Sequence, residues 1–227
     1  MITTLLTTLL TGGLLATGFA SCAATPAPGE APADLHLVLV APTDDPMVEI
    51  AAEDPRIRVR AVYATPDNFV GETLYPVGRI YLRQSAMKRL SRVQDDLEAD
   101  GLGLLVFDGY RPWSVTKRMW DVIGDPDFVA DPSKGSRHNR GMAVDLALVD
   151  ANGRALPMPT QFDAFVPEAR ADAAVLEPMR RNRDRLIEAM AAHGFAVLSS
   201  EWWHFDADGW QEKSLLNVPI EELAASR

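Results

Sequence analysis

Cysteine and histidine are both scarce in this 227-residue chain, and each shortage narrows the chemistry open to it. Cys22 is the only cysteine, so an intramolecular disulfide and a zinc cluster of four cysteines are both excluded. Any histidine-based site must be drawn from four residues: His36, His138, His193 and His204.

Basic residues are also fewer than acidic ones. The 22 Lys and Arg residues are outnumbered by 32 Asp and Glu residues, which gives a formal net charge of −10. Such a surface repels a phosphate backbone, and the sequence contains no basic stripe of the kind that nucleic-acid binding needs. We therefore exclude nucleic acid as a partner. With 47% hydrophobic residues, the composition is that of a globular protein that can build a core without disulfides.

Charge is absent from residues 2–20, whose leucine pairs resemble the hydrophobic region of a secretory signal. The run ends at Phe19-Ala20-Ser21-Cys22, which resembles a bacterial lipoprotein box with Cys22 as the acylated residue. A buried helix or an uncleaved membrane anchor is the alternative, although a spanning helix needs about 20 predominantly apolar residues. We expect an exported protein of the periplasm or cell envelope, with a signal segment at 1–22, a Pro/Ala tether at 23–34, a folded domain at 35–227, and membrane anchoring through lipid on Cys22.

Apolar residues recur with the periods of helices and strands along the rest of the chain. Residues 84–100 predict an amphipathic helix, because one stripe of that segment is apolar: Met87, Leu90, Val93 and Leu97. We expect further helices at 112–122 and 178–193, and strands at 36–40, 57–62, 104–107, 142–149, 195–198 and 202–205. Strands and helices do not alternate regularly, so the pattern predicts an α+β fold with a mainly antiparallel sheet flanked by helices.

His138 and Asp145 form the first half of a candidate metal site. Alternation along 142–149 places Asp145 on the strand face that carries only small neighbours, where a pocket can form. Zinc binds imidazole nitrogen and carboxylate oxygen, and a catalytic zinc site uses three protein ligands and leaves a position for water. Both residues can reach one metal ion if Gly141 turns the chain between them. The alternative is a surface histidine and a strand aspartate that pairs with an arginine.

The segment Glu201-Trp202-Trp203-His204 forms the second half. Zinc hydrolysis needs a carboxylate beside the metal, where it can take a proton from water that the metal has made more acidic. On a flat strand, residues three apart face opposite ways, so a bend or bulge near Trp202 must bring Glu201 and His204 to one site. The alternative is a buried polar pair between aromatic residues.

Five segments that follow one another along the chain carry a family resemblance. They are residues 63–71 (YATPDNFVG), 108–112 (DGYRP), 136–145 (SRHNRGMAVD), 162–165 (FDAF) and 201–204 (EWWH). Together they resemble the D-alanyl-D-alanine dipeptidases, a group that includes the vancomycin-resistance dipeptidase. The resemblance implies the α+β zinc-binding fold shared with D,D-carboxypeptidases and the hedgehog signalling domain. It also implies hydrolysis of a small D-configured dipeptide linked to peptidoglycan metabolism.

The same resemblance implies roles for single residues. Three of them match the ligands of one zinc ion per chain: His138, Asp145 and His204. Three others match positions around the free amino end of the substrate: Asp163, Ser136 and Tyr63. Glu201 matches the catalytic base, and Arg111 matches the arginine that stabilises the oxyanion. Asp108 matches the acidic residue that orients this arginine.

Two other functions stay open. A zinc D,D-carboxypeptidase would trim longer cell-wall peptides on the same fold, but a carboxylate at Asp163 favours a free amino terminus close to the cleaved bond. A non-catalytic zinc-bearing module that binds the cell wall belongs to another class, and it would need neither Glu201 nor Arg111. The sequence does not fix the physiological substrate or the oligomeric state.

Overall fold

The computed structural model describes residues 31–32, 35–126 and 128–225. The predicted signal segment, Cys22 and most of the predicted tether lie outside these residues. Within them, no helix is both long enough and apolar enough to cross a membrane.

A five-stranded sheet forms the centre of the fold, and its strands lie in the order β3-β5-β6-β8-β7. They are β3 (Arg58–Val59), β5 (Leu102–Asp108), β6 (Ala143–Asp150), β7 (Phe195–Leu198) and β8 (Glu201–Ala207). Strand β3 pairs with β5 in parallel, and every other pairing in this sheet is antiparallel. The predicted α+β fold with a mainly antiparallel sheet is confirmed.

Two small sheets lie outside the central one. The first pairs β1 (Leu37–Val38) with β9 (Leu215–Leu216) in parallel, and the second pairs β2 (Met47–Glu49) with β4 (Tyr81–Arg83) in antiparallel fashion. The described helices are α1 (Ile50–Glu53), α2 (Gln84–Ala99), α3 (Trp113–Ile123), α4 (Met179–Ala192) and α5 (Ile220–Ala225).

Helices α2 and α4 pack on one face of the central sheet and bury its apolar side chains. The predicted apolar stripe of α2 is fully inside this core: Met87, Leu90, Val93 and Leu97. Strand β6 contributes Val144, Leu146 and Leu148 to the same core. Because side chains alternate along a strand, Asp145 points away from these helices. The opposite face of the sheet is therefore left for the site.

The predicted strands at 36–40 and 57–62 are wrong in length, since each contains only two strand residues. The first is limited by its two-residue partner β9, and Leu39 and Val40 beyond it are exposed. The second ends because the chain turns into a 3-10 helix at Val62–Ala64. Alternating hydrophobicity predicted an extended chain there, but tertiary pairing decides how much of it joins a sheet.

Candidate active site

Three neighbouring strands place acidic and imidazole side chains in one row across the sheet. Asp145 on β6 lies directly opposite Asp108 on β5 and directly opposite His204 on β8. Residues that face each other across an antiparallel pair project from the same face of the sheet. A register shift between Val106 and Asp108 sets the position of Asp108 in this row.

His138 completes the cluster from the 3-10 turn His138–Arg140 that precedes β6. Gly141 ends this turn with φ 66°, a left-handed conformation that glycine adopts readily. This is the chain reversal that the sequence requires between His138 and Asp145. All three side chains are buried, and their ligand atoms lie within 4.8 Å of one another.

The donor atoms of these three residues converge on one point. His138 Nε2 lies 3.0 Å from His204 Nδ1 and 3.3 Å from Asp145 Oδ2, and His204 Nδ1 lies 3.0 Å from Asp145 Oδ1. The other nitrogen of each ring is already bonded, since His138 Nδ1 donates to the Gly109 carbonyl at 2.6 Å and His204 Nε2 donates to Asp206 Oδ1 at 2.9 Å. Each ring therefore turns its remaining nitrogen to the centre.

This arrangement fits a metal ion. A buried carboxylate and two imidazole nitrogens that face one another need positive charge between them, and a divalent cation can supply it. Burial lowers the pKa of His204, but hydrogen bonds to Asp145 and Asp206 outweigh it and raise the pKa to about 10. Burial likewise works against ionisation of Asp145, yet His138 and His204 hold its pKa below the ordinary value. Both pKa shifts have the same cause, because the carboxylates of this cluster favour positive charge at its centre.

Glu201 begins β8 and faces the same cluster. Strand β8 bulges here: Val197 of β7 pairs with Phe205, but the next residue, Leu198, pairs with Glu201. The predicted bulge near Trp202 is confirmed. Glu201 Oε2 lies 3.9 Å from His204 Nδ1, so the carboxylate is beside the ligand atoms but not hydrogen-bonded to them. Burial raises the pKa of Glu201, which suits a group that must accept a proton.

Arg111 is held next to the cluster by Asp108. Asp108 Oδ2 accepts hydrogen bonds from Arg111 Nε at 2.9 Å and from Nη2 at 2.7 Å, while Tyr75 donates to Asp108 Oδ1 at 2.8 Å. Arg111 Nη2 also lies 3.8 Å from Asp145 Oδ2. A guanidinium fixed by two hydrogen bonds to one carboxylate can stabilise negative charge that develops beside it.

Asp163 and Tyr63 lie on the Arg111 side of the cluster. Tyr63 donates to Asp163 Oδ2 at 2.9 Å, and the Arg111 guanidinium lies over the Tyr63 ring at 5.2 Å. Burial raises the pKa of the Asp163 carboxyl well above its ordinary value, with a further contribution from Asp145. Asp163 also has φ 59°, which is uncommon for a residue other than glycine and is found at functional sites.

Ser136 is buried beside His138, whose backbone N–H donates to Ser136 Oγ at 3.2 Å. All the predicted site residues except Asp108 line one cavity of about 590 Å³, and Asp108 lies fully buried behind Arg111. The structure therefore brings the nine predicted residues together in one place.

Comparison with known proteins gives the family. Residues 45–224 match the family described as D-ala-D-ala dipeptidase (Peptidase_M15). The chain belongs to this family. A D-alanyl-D-alanine dipeptidase of Escherichia coli K12 is 35% identical over 161 residues, which are 70% of this chain and 83% of that protein. Proteins of the same name from Enterococcus faecium and Streptomyces coelicolor are 33% and 36% identical, and each match covers 66% of this chain and 85% of the relative.

Two residues at the site of this family member were missed by the sequence analysis. Asp206 fixes the outer nitrogen of His204, and Tyr75 holds the second oxygen of Asp108. The position of Asp206 two residues after His204 on one strand was a usable signal, because such residues share a face. No local pattern links Tyr75 to Asp108, which lies 33 residues away.

Proposed function

We propose that this protein hydrolyses D-alanyl-D-alanine and related D-configured dipeptides with one zinc ion per chain. The supporting observation is the convergence of three buried ligand atoms beside Glu201 and Arg111 in a member of the dipeptidase family. His138, Asp145 and His204 would hold the ion. Two imidazoles and one carboxylate are a donor set that suits zinc and leaves a position open for water.

Zinc bound at this cluster would supply a Lewis acid that polarises the scissile carbonyl and makes water more acidic. Glu201 takes the proton from the attacking water and then passes it to the leaving amine. Arg111 stabilises the negative charge that forms on the carbonyl oxygen. Asp108 keeps the guanidinium in position through its two hydrogen bonds, so Arg111 need not reorganise during the reaction.

The preference for a dipeptide would come from Asp163. Its carboxylate, supported by Tyr63, would accept hydrogen bonds from the free ammonium of the substrate, with Ser136 nearby. A bound ammonium would offset the cost of ionising this buried carboxyl. A substrate whose amino group is blocked would leave the charge without a partner.

We further propose that the enzyme is exported and that lipid on Cys22 tethers it to the cell envelope. The sequence of residues 1–34 is the basis for this proposal. An envelope enzyme would meet dipeptides released from cell-wall material. Mass spectrometry of membrane-extracted protein would reveal an acylated N-terminal cysteine, and an unmodified Met1 would contradict the anchoring.

One comparison of substrates tests the activity. Purified protein loaded with zinc is offered D-Ala-D-Ala, L-Ala-L-Ala and a cell-wall pentapeptide in parallel. We expect rapid release of D-alanine from the first substrate only. Preferential cleavage of the pentapeptide would make the protein a D,D-carboxypeptidase, and turnover of none of the three would support a binding module.

A further inference from the structure

Arg137 lies at the site without a role in the chemistry proposed above. It lines the same cavity as the metal-ligand cluster, and 38% of its side chain is exposed. Its guanidinium lies over the Trp210 ring at 4.9 Å, and its Nε is 3.1 Å from Asp206 Oδ2. That contact is an ion pair without hydrogen-bond geometry, and the buried Nε has no hydrogen-bond acceptor among the described residues. Arg137 is therefore held in place through its Nε and the face of its guanidinium, while its two Nη atoms donate to no other described residue.

The other cationic side chains that line this cavity are already committed or face outward. Arg111 is bound by Asp108 through two of its nitrogens. Arg140 donates to the Lys213 carbonyl, and Lys134 is 82% exposed. Among the described residues of the cavity wall, Arg137 is the cation best placed to receive an anionic group.

Arg137 and Asp163 approach the ligand cluster from different sides. Asp163 is connected to it through Tyr63 and Arg111, on the β5 side of the row. Arg137 is connected through Asp206, which contacts the outer nitrogen of His204 on β8. The cavity thus offers a carboxylate on one side of the reacting centre and a guanidinium on the other.

A free dipeptide carries an ammonium at one end and a carboxylate at the other, separated by little more than the bond that is cleaved. We propose that Arg137 binds the terminal carboxylate of the leaving residue. This inference rests on the proposed dipeptidase function. The planar guanidinium matches a carboxylate in geometry, and Trp210 and Asp206 fix its orientation before the substrate arrives. Arg137 would then select substrates that end at the residue after the cleaved bond.

The test combines two substrates with three proteins. The kcat/KM values for D-Ala-D-Ala and for its C-terminal amide are measured with the zinc-loaded parent, with Arg137→Gln and with Arg140→Gln. The parent should prefer the free acid by about 10–100-fold, the value of one charge-assisted hydrogen bond. Arg137→Gln should lose that preference through a rise in KM for the free acid, with little change for the amide. Arg140→Gln, which removes a neighbouring cation that also lies over Trp210, should keep the preference.

Zinc content and a second variant distinguish carboxylate binding by Arg137 from a structural role of Arg137 at the metal site. Arg137→Gln should retain zinc, and Arg137→Lys should keep part of the preference because it keeps the charge. If Arg137→Gln slows both substrates equally, or loses zinc, then Arg137 acts through Asp206 on His204 and the inference is wrong while the dipeptidase function stands. If the parent cleaves neither substrate, the proposed function fails and the inference fails with it.

Discussion

Replacement of Asp163 by asparagine removes one negative charge from the predicted amino-end pocket and hardly changes the size of the side chain. In the parent, the buried carboxyl has Tyr63 as its hydrogen-bond donor. Loss of a charged hydrogen bond costs about 1.5–3 kcal/mol. We therefore expect kcat/KM for free D-Ala-D-Ala to fall about 10–100-fold. N-acetyl-D-Ala-D-Ala, which lacks the ammonium, should be a poor substrate for the parent and should lose much less in the variant.

The pH dependence gives a second measure of the same contact. Burial raises the pKa of Asp163, so the carboxyl keeps its proton to a higher pH than an ordinary aspartate does. The ionised form, which binds the ammonium, is therefore lost as the pH falls through this raised pKa. We expect the preference of the parent for free over acetylated substrate to grow as the pH rises, up to about 8, where the amino group itself loses its proton. In Asp163→Asn, the preference for free over acetylated substrate should be small and independent of pH.

Steady-state kinetics on both substrates at several pH values decides the matter. Asp131→Asn is a matched control, because Asp131 lines the same cavity and is bonded to Ser133 instead of to a site residue. The preference of Asp131→Asn for free over acetylated substrate should equal that of the parent. If the parent cleaves acetylated and free substrate equally well, Asp163 does not bind the ammonium. The protein would then be a D,D-carboxypeptidase and not a dipeptidase.

Four further outcomes follow from the site. Metal analysis should find about one zinc ion per chain in the parent and less zinc in each of three ligand variants: His138→Ala, Asp145→Ala and His204→Ala. Full zinc retention in all three variants would refute the site. Glu201→Ala should keep its zinc but lose about 10²–10⁴-fold in kcat, and activity close to that of the parent would assign another role to this carboxylate. Asp108→Asn should lower kcat and reduce stability by about 1.5–3 kcal/mol in denaturant titrations, because buried Arg111 loses the carboxylate that accepts its two hydrogen bonds; unchanged unfolding would contradict this. Zinc affinity measured by chelator competition should weaken about tenfold for each unit that the pH falls, because zinc must displace the proton held at His204, and a flat profile would argue against that exchange.

The long periodic elements could be predicted from the sequence, and the short ones could not. The apolar stripe of residues 84–100 gave a helix that ends within one residue of the observed α2. Strands β2 and β4 were not predicted, because three residues carry too little pattern to distinguish a strand from a loop. Their pairing depends on contacts between segments more than 30 residues apart, which single-sequence reasoning does not supply.

The candidate site shows the same division. Spacing and residue type pointed to His138, Asp145, Glu201 and His204, and the need for one shared site required a bulge in the last strand. The size of that bulge, with three residues of β8 opposite no residue of β7, could not be derived from the tetrapeptide. Asp206 was missed because its importance depends on which nitrogen of His204 faces inward, a property of the folded site.

The position of Asp145 and His204 on adjacent inner strands means that the sheet fixes the spacing of two of the three metal ligands. Both residues lie on strands with neighbours on each side, whereas the amino-end pocket and the cavity rim are built largely from loops. Loops open at low free-energy cost, but central strands separate only in openings that approach global unfolding. Loop openings that admit and release dipeptides would thus leave Asp145 and His204 at a fixed spacing. His138, on the turn before β6, is the one of the three ligands that lies outside the sheet, so loss of the metal should begin with His138.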